Sequence, residues 1–144
     1  MVEWYLMTTD GYDADDGFDA AGFYTPLIAA IRNPTVEAHT ASDTLTKEET
    51  HSIHTNLGAG GTITLTLPQD AVSGTHFYFV VMAAQILRVD PGAAGAIYIG
   101  GAKQTDDEYI YADDEAESVM LVCTGSGDWV ALFTTGTWSV ESWV

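Results

Sequence analysis

The segment GGTITLTLP, residues 60–68, repeats with a period of two: Ile63, Leu65 and Leu67 alternate with Thr62, Thr64 and Thr66. Successive side chains on a strand point to opposite faces, so this pattern predicts a half-buried strand with aliphatics inward and threonines outward. The same grammar continues to the C-terminus. THFYFVVMAA (75–84) is aromatic and β-branched, ILRVD (86–90) ends at Pro91-Gly92, and AIYIGG (96–101) ends in a glycine turn. YIYA (109–112) is a short strand, and TWSVESWV (137–144) closes the chain. SVMLVCTG (118–125) and DWVALFTTG (128–136) are joined by Gly125-Ser126-Gly127, a hairpin signal. Short strands at turn-marked intervals of about 8–12 residues, with no helical pattern between them, predict an all-β fold. A β-sandwich or a jelly-roll-like barrel satisfies the pattern, and βαβ topologies do not.

Residues 1–36 read differently, and we divide the chain into an N-terminal arm (1–36) and a β-module (37–144). The arm holds six acids and one base, Arg32. VEWYLM (2–7) reads as a short strand and YTPLIAAIRNP (24–34) as one short helix. Thr25 caps that helix, Pro26 suits its first position, and Asn33-Pro34 stops it. Tyr24, Leu27, Ile28 and Ile31 fall on one apolar face. Two turns do not hold together alone, so that face must dock on something.

Charge excludes several functions. The 144 residues carry 21 acids against 4 bases, a formal net charge of −17. Binding a phosphate backbone needs Lys and Arg, so nucleic acid is excluded as a partner, and anionic membrane surfaces repel the chain for the same reason. Nothing approaches the roughly 18 apolar residues of a membrane helix, and the first residues do not form a signal peptide. We therefore expect synthesis in a cytoplasm without conventional export. Cys123 is the single cysteine, so no intrachain disulfide forms. Apolar residues make up 47% of the chain, enough for a core of one domain.

The chemistry-bearing clusters are weak. DGYDADDGFD (10–19) packs five aspartates into ten residues, but no register puts acids at positions 1, 3 and 5, Gly at 6 and Glu at 12 of a calcium loop. It reads as an acidic surface turn, with Asp16 and Asp19 upstream of the helix's positive end. Residues 106–117 hold seven acids in twelve residues and read as a solvated loop. His39, His51, His54 and His76 raise a zinc reading. His51 and His54 are three apart, however, which places them on opposite faces of a strand, and there is no HExxH motif. Cys123 lies in an apolar strand without basic neighbours and reads as a buried small residue. No nucleophile elbow or phosphate-cradling loop is present; the glycines at 58–61 and 100–101 are turn glycines. We expect no catalytic residue, no metal and no cofactor. Trp129 and Trp138 read as core or subunit interface, and Trp4 and Trp143, near the chain ends, as residues buried against the fold or a partner.

From about Thr44 to Glu141 the order of TLTKEETHSIHTNLGAGGTITLTLP, FYFVVMAAQILRVDP, IYIGG and SVMLVCTGSGDWVALFTTGTWSVE resembles a β-rich module of tailed-bacteriophage virion proteins. That module occurs in capsid decoration or head-fibre proteins and in tail-fibre tips. The resemblance implies a β-sandwich or jelly-roll-like unit that assembles as a trimer on the virion surface, without catalysis or cofactor. The sequence departs from it in the acidity of residues 106–117 and in His51 and His54, where small or apolar residues are expected. Residues 1–36 lie outside it.

A chain of this length with no shaft repeat fits a capsid decoration (cement) protein better than a tail fibre. The expected partners are the major capsid protein and two further copies of the chain, on the outer capsid surface of the virion. The expected capsid or subunit interface comprises Trp4, Tyr5, Leu6, Tyr24, Leu27, Ile28, Ile31, Trp138 and Trp143. The alternative is a short tail-fibre or spike subunit that binds a host receptor or glycan through Tyr109, Tyr111 and the 106–117 loop.

Overall fold

In a computed structural model of the chain, residues 33–142 are described. The chain divides into two units, Met1–Pro34 and Thr35–Val144, and the described strands all belong to the second. The strand expected at 2–7, the helix expected at 24–34 and the aspartate-rich turn at 10–19 lie outside the described residues.

Among the described residues, twelve strands form two sheets. They are β1 (Thr35–Ala38), β2 (Asp43–Thr44), β3 (Ser52–Thr55), β4 (Ile63–Thr66), β5 (His76–Val80), β6 (Leu87–Asp90), β7 (Ile97–Ile99), β8 (Ala102–Lys103), β9 (Ile110–Ala112), β10 (Ser118–Gly125), β11 (Asp128–Thr135) and β12 (Ser139–Val140). A single 3-10 turn, Lys47–Glu49, is the only helical element among the described residues. One sheet has the order β1-β3-β5-β10-β11-β7-β8 and the other β12-β9-β6-β4-β2. The protein is an all-β, sandwich-like fold.

One core lies between the sheets. The five-stranded sheet contributes Ile63, Leu65, Leu87, Val89 and Ile110; the seven-stranded sheet contributes Phe77, Phe79, Val119, Leu121, Cys123 and Trp129. The alternation in β4 is realised as expected, with Ile63 and Leu65 buried and the threonines partly wetted. Cys123 is a buried free thiol in β10. The β10–β11 hairpin turns through Ser126 (φ 58°) and Gly127 (φ 81°), between paired Gly125 and Asp128. Two consecutive positive φ values match the right-handed twist of the flanking strands.

From β1 to β7 the chain changes sheet after every strand, so successive strands of one sheet run the same way. β1, β3 and β5 are parallel neighbours in the larger sheet, and β2, β4 and β6 in the smaller one. Parallel neighbours ordinarily need a helical crossover; here a strand of the opposite sheet is the crossover. In the second half of the chain β5–β10, β10–β11, β6–β9, β9–β12 and β7–β8 pair antiparallel, while β7 and β11 run parallel.

Candidate functional site

The outer face of the seven-stranded sheet is unlike that of its partner. Register places Val36, Ile53, Tyr78, Met120 and Leu132 side by side across five adjacent strands. A second row runs His76, Val122, Val130 and Tyr98. The inward residues of the same strands, among them Phe77, Phe79, Val119 and Leu121, are fully or nearly fully buried. The first row contains no Asp, Glu, Lys or Arg, whereas the second ends at Lys103, the register partner of Tyr98 on β8.

A register shift between Ser118 and Met120 places Phe133 and Thr134 opposite Val119. Phe133 takes φ 53° and stands 81% exposed. A large aromatic side chain in the left-handed region is strained, and bulges of this kind re-aim side chains. Phe133 borders a groove of about 260 Å³ lined by Ile53, Tyr78, Val80 and Met120. Val36 (65%) and Leu132 (38%) extend the exposed apolar area. A contiguous uncharged patch of this kind marks a surface meant to be covered.

The outer face of the five-stranded sheet carries a polar groove of about 420 Å³, lined by Ile86, Arg88, Tyr109, Tyr111, Glu141 and Ser142. Arg88 is in register with Tyr111. Its guanidinium lies 4.6 Å from the centre of the Tyr109 ring, and the two tyrosine rings are 6.1 Å apart. Burial pushes the Tyr109 phenol above its ordinary value, against the pull of Arg88. The Arg88 Nε is buried and has no hydrogen-bond partner among the described residues. Lys47 and Lys103, by contrast, face Asp70 at 2.8 Å and Asp128 at 3.4 Å.

The histidines pair across strands, and His51 and His54 point apart as their spacing on a strand implies. His39 Nε2 lies 2.9 Å from His54 Nδ1, and His51 Nδ1 lies 3.1 Å from His76 Nε2. His54 is fully buried, and burial, then the neighbouring His39, push its imidazole down to about 4. Ser52 Oγ is 2.7 Å from His54 Nε2, which has the look of a nucleophile and its base. Ser52 is buried, however, and donates its hydroxyl hydrogen to the Glu49 carbonyl, so it presents no nucleophile to a substrate.

The 106–117 stretch is not simply a solvated loop, as its composition implies. Glu108 and Glu117 are buried. Glu108 accepts the Thr105 N–H at 2.7 Å. Glu117 accepts the N–H groups of Asp113, Asp114 and Thr137. The last of these, then the Asp114 and Asp113 N–H groups, hold its carboxyl below the usual glutamate range against the effect of burial. Asp106, Asp107, Asp113, Asp114 and Glu115 remain exposed.

Of the residues expected at an interface, Trp4, Tyr5, Leu6, Tyr24, Leu27, Ile28, Ile31 and Trp143 lie outside the described residues. Trp138 is half-buried against the core, and its indole N–H donates to the Ser118 carbonyl at 3.0 Å. Trp129 belongs to the core, 5.8 Å from the Phe77 ring. The exposed row from Val36 to Leu132, and Phe133 with it, is not among the residues expected from sequence. The available signal was in HFYFV and SVMLV, where residues of both parities are apolar, the mark of a strand covered on both faces. No protein-family model matches the chain, and no curated protein matches it either.

Proposed function

We propose that this protein is a structural, non-catalytic component of a phage virion: a capsid decoration (cement) protein that coats the outer shell as a trimer. The observation that carries the reading is the uncharged apolar row Val36–Ile53–Tyr78–Met120–Leu132 with Phe133 beside it. A second copy of the chain is the occupant that fits. Copies with a net charge of −17 repel one another over most of their surface, and a face without charge is where that repulsion is least. Trimerisation then multiplies weak contacts to the shell through effective concentration. The resemblance of residues 44–141 to virion-surface modules points the same way.

The test is to add purified protein to shells that lack it. Saturable binding in multiples of three, lost on deletion of residues 1–32, is the expected result. Binding that is unaffected by that deletion overturns the arm's role, and no binding to any shell overturns the capsid reading.

The groove of Arg88, Tyr109 and Tyr111 favours a second reading, a receptor- or glycan-binding subunit. Aromatic faces and a guanidinium suit sugar rings and acidic sugar substituents. Glycan binding by the purified chain without affinity for empty shells would favour it over the first.

A further inference from the structure

We infer that Glu37, His39 and His54 form a binding site for a divalent transition metal of the Zn²⁺ class. The three residues come from the edge strand β1, the turn that follows it, and β3. Glu37 and His54 are register partners in the parallel β1–β3 pair and share its inner face. The ring nitrogens His39 Nε2 and His54 Nδ1 are 2.9 Å apart, and Glu37 Oε1 lies 3.8 Å from the first and 3.7 Å from the second. Metal–ligand bonds of about 2.0–2.1 Å in a tetrahedron separate their donor atoms by about 3.3–3.4 Å. The three observed separations bracket that value, so a metal fits among these atoms with only small side-chain movement. Two imidazoles and a carboxylate are a donor set suited to zinc, and the half-exposed Glu37 leaves a fourth position open to water.

The surroundings prepare both histidines as ligands. Ser52 gives its one hydroxyl hydrogen to the Glu49 carbonyl, so Ser52 Oγ must accept from His54 Nε2–H. That fixes the proton on Nε2 and turns the Nδ1 lone pair towards His39 and Glu37. Without a metal, His39 Nε2–H must donate to that lone pair, which leaves the other nitrogen of a neutral His39, Nδ1, facing the Asp43 carboxylate at 3.6 Å with no hydrogen to give. With a metal at Nε2, the His39 hydrogen moves to Nδ1 and points at Asp43. A carboxylate behind a ligating imidazole is the usual outer partner of a zinc histidine. The metal would tie the edge strand to β3, and this holds whichever partner the outer sheet face takes.

The experiment is calorimetric titration of Zn²⁺ into the full, tag-free chain stripped with EDTA. We expect one Zn²⁺ per chain, released by EDTA, and a higher melting temperature with zinc bound. Glu37→Gln, at an exposed position that leaves folding intact, should weaken binding by about tenfold or more, and His39→Gln by more than about a hundredfold. Asp43→Asn should weaken it by about 10–100-fold. His76→Gln, which breaks the other histidine pair, should leave affinity unchanged. Absence of saturable binding at millimolar zinc overturns the proposal. So does wild-type affinity in both Glu37→Gln and His39→Gln, or loss of binding in His76→Gln alone.

Discussion

Replacing Glu117 with glutamine changes one atom and should cost far more than a surface charge. The Glu117 carboxylate is 7% exposed and gathers three backbone N–H groups. Asp114 N–H reaches it at 3.0 Å and Asp113 N–H at 3.2 Å, both on Oε2, while Thr137 N–H meets Oε1. A glutamine keeps one accepting oxygen. If that oxygen serves the Asp113–Asp114 turn, its NH₂ is turned against the Thr137 N–H. A bond to a charged group is worth about 1.5–3 kcal/mol net and a neutral one about 0.5–1.5 kcal/mol. Losing one charged bond and weakening two others comes to about 3 kcal/mol, after allowing for water at the exposed Asp113 and Asp114. For a domain of this size that is about 12 °C in melting temperature, at about 4 °C per kcal/mol. Thermal unfolding of Glu117→Gln followed by far-UV circular dichroism measures it. The pH dependence supplies an internal control. The folded-state pKa of Glu117 is depressed, so its contribution is complete above the ordinary glutamate value of about 4.3 and is lost as pH falls through the folded-state value. The gap between wild type and variant should therefore be widest at neutral pH and narrow as pH falls below the ordinary glutamate value. A shift below about 2 °C, or a gap that does not change with pH, would refute the clamp.

Other positions give equally direct outcomes. Asn56 is fully buried, donates to the carbonyls of Ala83 and Gln85, and accepts the N–H groups of Met82 and Ala83. Asn56→Asp puts a carboxylate oxygen against two carbonyls and should destabilise by about 3 kcal/mol or more in urea denaturation at pH 7. Native Cys123 should react with a thiol reagent only as fast as the chain opens, because its sulfur is buried; rapid labelling without unfolding would place it elsewhere. Tyr111→Ala should abolish any glycan binding measured by isothermal titration while leaving the oligomeric state unchanged.

The strands were legible because period two is a local property. Ile63, Leu65 and Leu67 announce their own faces, and Gly125-Ser126-Gly127 announces its own turn. Partners are not local. Nothing in GGTITLTLP says that its neighbours are parallel strands reached through the opposite sheet, and the three short strands before residue 60 carry too little alternation to declare themselves. His39 and His54 are 15 residues apart and meet only because β1 and β3 pair, whereas the conspicuous His51 and His54 diverge. The buried Glu108 and Glu117 did leave a signal, one that the partly exposed Glu49 shares. Glu49, Glu108 and Glu117 each accept the N–H of the residue three places earlier, Thr46, Thr105 and Asp114, the spacing of a capping box. Composition alone turned that spacing into a solvated acidic run.

The role proposed for the outer face of the large sheet rests on self-association, and Phe133 separates assembly from folding. Phe133→Asn suits the left-handed backbone at φ 53° better than phenylalanine does, so the fold should be kept or stabilised. It also removes an aromatic ring whose burial in an interface is worth about 2–3 kcal/mol per copy. Sedimentation equilibrium of the full chain should give three times the 15.4 kDa chain mass for the wild type and a dissociating species for Phe133→Asn. A wild-type monomer at tens of micromolar, or a variant as trimeric as the wild type, would contradict the account.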